Sequence, residues 1–203
     1  MNFTPVHFSP TFGRVLSVVV AVAGVVAIVG FAVAGEWAGL ARSVWPTLLI
    51  VAVAFALFWF PSITIAEHEV TVRNVFVTHH VPWPAIERID TKWALTLFTS
   101  HGPIAVWAAP APSRYSLLGT TRGDANAVAE SARAASGSVR PSDTLDTESG
   151  ALADIVRRRW ERLRDDGLLD LPVDESAFRR DIHYRTAIAI GVLAVATVAS
   201  ALV

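Results

Sequence analysis

The sequence predicts an α+β membrane protein, in which three transmembrane helices accompany a small antiparallel β domain with an amphipathic helix. Two observations support this class. Charged residues make up only 17% of the 203 residues, against about 25% in soluble domains, and three long stretches carry no charge at all. Six short segments that alternate apolar and polar residues lie between the second and the third of these stretches.

The first uncharged stretch covers residues 15–35. Its length matches the roughly 20 residues that a helix needs to cross the core of a bilayer. A secretory signal peptide is the alternative, but its apolar core is shorter, and here a second apolar stretch follows at once. We therefore predict a membrane span.

The second stretch covers residues 44–60 and carries Trp45 and Trp59 near its ends, at the depth where tryptophan is enriched in membrane proteins. The short loop before it predicts a helical hairpin within residues 1–60. The third stretch covers residues 186–203. Because it has no polar face, a span is favoured over a buried core helix.

The arginines near the ends of the spans predict the orientation, because cytoplasmic loops are enriched in Lys and Arg. Arg14 precedes the first span, and Arg179, Arg180 and Arg185 precede the third. Arg42, in the hairpin loop, counts against this assignment. The sequence thus predicts a multi-pass protein of the plasma membrane, with residues 61–185 in the cytoplasm.

The β domain is predicted over residues 61–109. Its six segments are rich in β-branched and aromatic residues, which is typical of strands. They are SITIA, EVTVR, VFVTHHV, AIERID, ALTLFT and IAVWAA. Since the segments leave no room for crossover helices, we expect an antiparallel meander. Residues 110–149 are rich in Pro, Ser, Thr and Gly and predict a flexible linker.

Residues 150–167 predict an amphipathic helix that completes the β domain, and residues 168–185 then connect it to the third span. The apolar stripe at helical spacing consists of Leu152, Ile155, Val156, Trp160 and Leu163. The opposite, solvated side is predicted to carry Arg157, Arg158, Glu161, Arg162 and Asp165. The apolar face of the sheet needs cover, and this stripe supplies it.

The segments ITIAEHEVTVRN, VPWPAIERI and LTLFTSHGPIAVWA resemble the bacterial membrane-associated PH domain families of actinobacteria. The predicted structural signature is Trp83 and Ile86, in a Trp-x-x-Ile element, with Trp160 on the helix. We expect Trp83 in the core. The resemblance implies a PH-like β barrel capped by a C-terminal helix, with a pair of membrane helices before it.

The sequence predicts no catalytic residue, no metal site and no cofactor. The chain has no cysteine, and adjacent histidines such as His79 and His80 point to opposite faces of a strand. Glu87 and Asp90 have no visible partner for acid–base chemistry, and no phosphate-binding glycine loop is present. A net charge of −1 gives no bias toward nucleic acid, so no nucleic-acid partner is predicted.

Basic residues are the candidates for contact with an anionic lipid or a partner. They are Arg157, Arg158 and Arg162 on the helix, with Arg73, Arg88 and Lys92 on the sheet. Interspersed acidic residues favour a salt-bridged, solvated helix face instead. The first hairpin turn, AEHEV, is acidic, so phosphoinositide binding is not implied by the resemblance.

Small residues in the spans allow close helix packing, either among the three spans or with a partner membrane protein. They include Ala21, Gly24, Ala27, Gly30, Gly191, Ala194 and Ser200. We predict a non-catalytic, membrane-anchored module that presents a protein-interaction surface at the cytoplasmic face. The alternative is a binder of anionic lipid or envelope components through the basic helix face or a sheet groove. An accessory subunit of a membrane enzyme or transporter is less favoured.

Overall fold

The computed structural model of the chain describes residues 4–91, 94–110, 148–169 and 177–202. The described residues divide into two compact units. One unit holds β strands with an amphipathic helix, and the other holds three apolar helices. Most of the segment predicted as a linker, residues 110–149, lies outside the described residues, so its flexibility stays a prediction.

Among the described residues, five strands form the larger sheet, in the spatial order β1-β2-β3-β4-β8. They are β1 (Val6–Phe8), β2 (Ser62–Ile65), β3 (Glu69–Arg73), β4 (Val77–Pro82) and β8 (Arg179–Ile182). Strands β1 to β4 pair antiparallel. Ile63, Ile65, Val70 and Val72 alternate along β2 and β3 and are fully buried, because one face of this sheet forms a wall of the core.

The described residues of the smaller sheet form three antiparallel strands, β5 (Ile86–Asp90), β6 (Ala94–Thr99) and β7 (Gly102–Pro110). Gly102 has a φ of +107°, a conformation that favours glycine and permits the tight turn between β6 and β7. The Thr99 hydroxyl closes this turn by donating a hydrogen bond to the Gly102 carbonyl over 2.9 Å. Leu97 and Val106 point inward and are fully buried.

The six predicted strands are confirmed as β2 to β7, but the predicted closed barrel is wrong. The described strands form two separate sheets, and the ladder breaks between β4 and β5. Pro82 and Pro84 lie at this break and have no N–H to donate to a ladder, and Trp83–Ala85 form a 3-10 turn. The short edge strands β1 and β8 were not predicted.

Helix α3 (Glu148–Asp165) covers the core and packs against β7. Leu152, Ala153, Val156 and Leu163 are buried, as predicted for three of them. The predicted stripe needs two corrections, since Ile155 is 39% exposed and Arg157 only 3%. The buried face of α3 is centred on Ala153 and Val156. Ile155 therefore lies outside this face, and Arg157 lies at its border.

The helical unit consists of α1 (Thr11–Val33), α2 (Trp37–Ala54) and α4 (Tyr184–Leu202). A π-helical turn, Phe55–Trp59, extends α2. By length and composition each of the three is able to cross a membrane, as predicted. Helix α2 packs against both α1 and α4.

The helices α1 and α2 approach closely along Gly13, Ser17 and Gly24, which are the buried residues of α1. A Cβ atom at Gly13 would lie 2.7 Å from the carbonyl oxygen of Phe58, in the π-helical turn. The Ser17 hydroxyl lies 3.0 Å from the Gly13 carbonyl and 3.3 Å from that of Ala54. Small residues therefore permit this crossing, because larger side chains would separate the helices.

Candidate functional site

The outer face of the smaller sheet exposes an apolar surface, here called the β5–β7 face. It contains Arg88, Phe98, Pro103, Ala105 and Trp107, together with the polar Thr96 opposite Ala105. The alternation along β7 turns Ile104 and Val106 inward, so residues 103, 105 and 107 point outward. Arg88 lies opposite Phe98, which in turn lies opposite Pro103, so that three strands contribute to one surface. Trp107 is the largest aromatic side chain of this face and is 52% exposed.

Arg88 is fixed on this face by its neighbours. Its guanidinium carbon lies 4.0 Å from the centre of the Phe98 ring, a cation–π contact. A guanidinium nitrogen also lies 4.0 Å from a carboxylate oxygen of Asp90. The Arg88 side chain is nevertheless 62% exposed, so it remains accessible to a binding partner.

Asn74 holds the backbone that carries Trp107. The Asn74 side-chain amide donates a hydrogen bond to the Ala105 carbonyl over 2.8 Å and accepts one from the Trp107 N–H over 3.1 Å. The Asn74 side-chain amide therefore makes the two hydrogen bonds to β7 that the backbone of a neighbouring strand would make. This contact orders the outer edge of β7 and satisfies these two backbone groups, so a partner strand has less to pair with at this position.

The residues of the predicted structural signature contribute to the core and its border. Trp83 is 2% exposed, and its indole N–H donates to the Ala66 carbonyl over 3.1 Å. The Trp160 indole N–H donates to the Ile86 carbonyl over 2.9 Å, which ties α3 to the start of β5. The Trp83 and Trp160 side chains therefore stabilise the fold.

The outer face of the larger sheet carries a polar row that crosses its strands. Direct cross-strand partners place His7 beside Thr64, Thr64 beside Thr71, and Thr71 beside His80. His80 extends the row to β8, because its Nε2 lies 3.4 Å from a carboxylate oxygen of Asp181. In the described residues, no group of three or more His, Asp or Glu side chains is arranged to hold a metal ion.

Glu69 joins this row beside His80, with 3.0 Å between Oε1 and Nδ1. The Thr71 hydroxyl donates to the same carboxylate over 3.0 Å. Burial alone would raise the pKa of Glu69, but these two hydrogen bonds and the positive charge near it outweigh burial and lower the pKa below its ordinary value. The carboxylate is therefore a stable anion that links β3 to β4.

His79 lies on the opposite face from His80, since it pairs with the buried Val72. Its Nδ1 atom is buried and has no hydrogen-bond partner among the described residues. Burial, together with the positive charge of Arg180, lowers the pKa of His79 below its ordinary value. Both effects favour the neutral form of His79.

The basic residues predicted to contact lipid or a partner do not lie on one surface element. Arg158 and Arg162 lie on α3, and Arg73 ends β3. Arg157 is buried, and Lys92 lies outside the described residues. The Arg158 guanidinium donates to Asp154 over 2.6 Å, and this hydrogen bond raises the pKa of Arg158. Part of the charge of α3 is therefore neutralised by its own carboxylates.

The β5–β7 face was not predicted from the sequence. The signal was present in IAVWAA, because an inward Ile104 and Val106 require an outward Trp107. That Phe98 lies on the same face as Trp107 follows only from the register of β6 against β7, which depends on the turn at Gly102.

Comparison with known proteins returned one family match. The family model described as Bacterial PH domain matches residues 60–137. No curated protein and no solved structure matches the chain. The matched segment includes β2 to β7 and thus the whole β5–β7 face. The resemblance to bacterial PH domains predicted from the sequence is confirmed for this segment, and the assignment to actinobacterial families stays a prediction.

Proposed function

We propose that the chain is a non-catalytic, membrane-anchored module whose β5–β7 face binds a protein partner at the cytoplasmic side of the membrane. PH domains are generally binding modules without catalytic activity, which supports the first part of this proposal. The observation that carries the second part is the exposed Trp107 on an ordered apolar surface.

The composition of the β5–β7 face favours a protein partner. Trp and Arg are enriched among the residues that dominate binding energy at protein interfaces, and Phe is enriched at interfaces generally. The face offers Trp107, Arg88 and Phe98, surrounded by the small apolar side chains of Pro103 and Ala105. When a partner removes this apolar surface from water, the free energy of the complex is lowered.

The order of the face also supports binding. Asn74 fixes the backbone at Trp107, and the Phe98 ring fixes the guanidinium of Arg88. Side chains that are ordered before binding lose less conformational entropy on association. A partner therefore meets a surface that is largely in its binding conformation.

Membrane anchoring is supported by the three apolar helices. The Arg14 guanidinium lies 5.5 Å from the centre of the Trp59 ring, so an arginine and a tryptophan meet where α1 begins and the π-helical turn ends. Both residue types are typical of the membrane–water interface. Arg14, before the first span, and Arg179, Arg180 and Arg185, before the third, favour a cytoplasmic location for the PH-like domain.

Anionic lipid is a second candidate ligand, because Arg158 and Arg162 are exposed on α3. Basic residues near an anionic surface attract it by about 1 kcal/mol each. The neighbouring carboxylates of Asp154 and Asp165 oppose this attraction. Hydrogen exchange of α3 in the full chain, compared between neutral and anionic nanodiscs, tests this candidate, which predicts slower exchange in the anionic nanodiscs.

Site-specific photo-crosslinking in native membranes tests the protein-binding proposal. A benzophenone side chain placed at Ala105 reports on the β5–β7 face, and one placed at Asp166, exposed after α3, is the matched control. We expect a crosslinked protein of one size at Ala105, which disappears when Trp107→Ser is added. Equal crosslinking at both positions, or an adduct that is independent of Trp107, would contradict the proposal.

A further inference from the structure

His80 lies between two carboxylates that belong to different strands. Its Nδ1 atom is 3.0 Å from Oε1 of Glu69 on β3, and its Nε2 atom is 3.4 Å from Oδ2 of Asp181 on β8. The Glu69 carboxylate is ionised and can only accept a hydrogen bond, so the proton of that contact lies on Nδ1. A change in the protonation of His80 therefore acts on Nε2, the side of the ring that faces Asp181.

The neutral and the protonated ring hold Asp181 differently. A neutral imidazole with its proton on Nδ1 directs the lone pair of Nε2 at the Asp181 carboxylate, which is unfavourable because both groups are acceptors. A protonated imidazole has an N–H at this position and a positive charge, so it makes a charge-assisted contact with each of the two carboxylates. The contact between β4 and β8 at Asp181 therefore depends on pH.

Strand β8 gains little stability from apolar burial. It is an edge strand beside β4, and all four of its residues are exposed. Such a strand depends on backbone hydrogen bonds and polar contacts, so its local opening costs less free energy than global unfolding. The chain just before β8 is anchored separately, because the Phe178 ring stacks on the His101 ring with 4.3 Å between their centres. The end of β8 at Asp181 is thus the part that His80 holds.

We propose that protonation of His80 holds β8 on the larger sheet, and that loss of this proton lets the C-terminal end of the strand open. Only His183 separates β8 from α4, so opening would lengthen the connection between the PH-like domain and the third apolar helix. The PH-like domain would then be tied more tightly to this helix at low pH than at high pH. This device does not depend on the partner proposed for the β5–β7 face.

Other charged or titratable groups also act on β8. The positive charge of Arg179 attracts Glu69 whatever the state of His80. Arg180 lies near His79, so protonation of His79 would repel β8 and oppose the effect of His80. Protonation of His101 would alter its stacking contact just before the strand. The contribution of His80 is therefore measured against variants of the other two histidines.

Hydrogen exchange of the full chain in detergent micelles, read by mass spectrometry at a peptide that contains β8, tests the proposal. Rates are compared between pH 8 and pH 5.5, the range in which histidine side chains change charge, after correction for the intrinsic pH dependence of amide exchange. We expect the corrected exchange of β8 to be about two- to fivefold slower at pH 5.5, the effect of one partly exposed ion pair. His80→Gln and Asp181→Asn should each remove this difference. Equal corrected rates in the wild type, or a difference that persists in a folded His80→Gln variant, would overturn the proposal.

His79→Val and His101→Phe are the matched controls, since each removes a different histidine near β8 and phenylalanine retains a ring against Phe178. Both variants should keep the slower exchange at pH 5.5, and His79→Val should enlarge it because the repulsion of Arg180 is removed. Loss of the difference in either variant would assign the pH dependence to that histidine and contradict the proposal. Nitrogen-15 NMR of the His80 ring should show protons on both nitrogens at pH 5.5, and a bare Nε2 in the protected state would also overturn it.

Discussion

The guanidinium of Arg157 donates a hydrogen bond to the Thr91 hydroxyl, with 3.3 Å between the nitrogen and the oxygen. Both residues are only 3% exposed. Thr91 directly follows β5, so a buried polar contact ties α3 to the end of this strand. The contact adds to the apolar packing of Val156, one residue earlier on the same helix.

Arg157→Ala should destabilise the β unit by about 2 kcal/mol or more, because it removes a buried hydrogen bond and the packing of the arginine stem. Urea unfolding of the full chain in mild detergent, followed by near-UV circular dichroism, measures the loss. Arg162→Ala is the control, since Arg162 is exposed on the same helix and substitutions of exposed side chains usually change stability by about 0.5 kcal/mol or less. Equal losses in the two variants would contradict this role for Arg157.

Trp160→Phe should cost about 0.5 to 1.5 kcal/mol, the contribution of one hydrogen bond. The phenyl ring retains most of the apolar contact, but it has no N–H to donate to the Ile86 carbonyl. The same urea unfolding measures this change. Trp37→Phe, at a side chain that is 68% exposed, should leave the stability of the β unit unchanged.

The stability of the β unit should decrease as the pH is lowered below about 6.5, the ordinary pKa of histidine. The pKa of His79 is lowered in the folded chain, so the unfolded chain binds its proton first. The free energy of unfolding therefore falls with decreasing pH until the folded pKa is reached, by at most about 1.4 kcal/mol per pH unit.

His79→Val, which places valine beside Val72, should remove this part of the pH dependence. Arg180→Gln should weaken it, because the positive charge of Arg180 helps to lower the pKa of His79. Urea midpoints measured between pH 5 and pH 8 provide the comparison. A His79→Val variant whose midpoints follow the wild type across this range would refute the assignment.

Gly13→Ala should loosen the helical hairpin, because its Cβ atom would meet the Phe58 carbonyl at 2.7 Å. Forcing an additional methyl group into a packed contact costs about 1 to 3 kcal/mol. Unfolding of the full chain in mixed detergent–SDS micelles measures the change. Gly30→Ala is the control, since a Cβ there meets no described atom within 4 Å, and it should be neutral or slightly stabilising.

The strands β2 to β7 could be predicted because alternation of apolar and polar residues reports directly on a half-buried sheet. The edge strands β1 and β8 could not, because VHF and RRDI are too short to show a period. Their pairing is determined by β2 and β4, which are distant in sequence. Barrel closure likewise depends on contacts that the local pattern does not encode.

The burial of Arg157 was missed for a different reason. A charged residue next to an apolar stripe is normally solvated, and the small Ala153 gave no sign that the helix face was centred there. The exposed Trp107 could have been predicted from alternation alone. The residues around Trp107 could not have been predicted in this way, because Phe98 and Arg88 lie on the same face only through the register of three strands.

Co-purification from native membranes after reversible crosslinking tests the central claim most directly. We compare the wild type with Trp107→Ser, and with Trp37→Ser as a matched change at an exposed tryptophan outside the PH-like domain. The account predicts that Trp107→Ser lowers the yield of the wild-type partner at least about tenfold, because a dominant interface residue contributes about 2 kcal/mol or more. It also predicts unchanged thermal stability of Trp107→Ser and a wild-type yield for Trp37→Ser. Recovery of the same partner at wild-type yield with a folded Trp107→Ser variant would contradict the account.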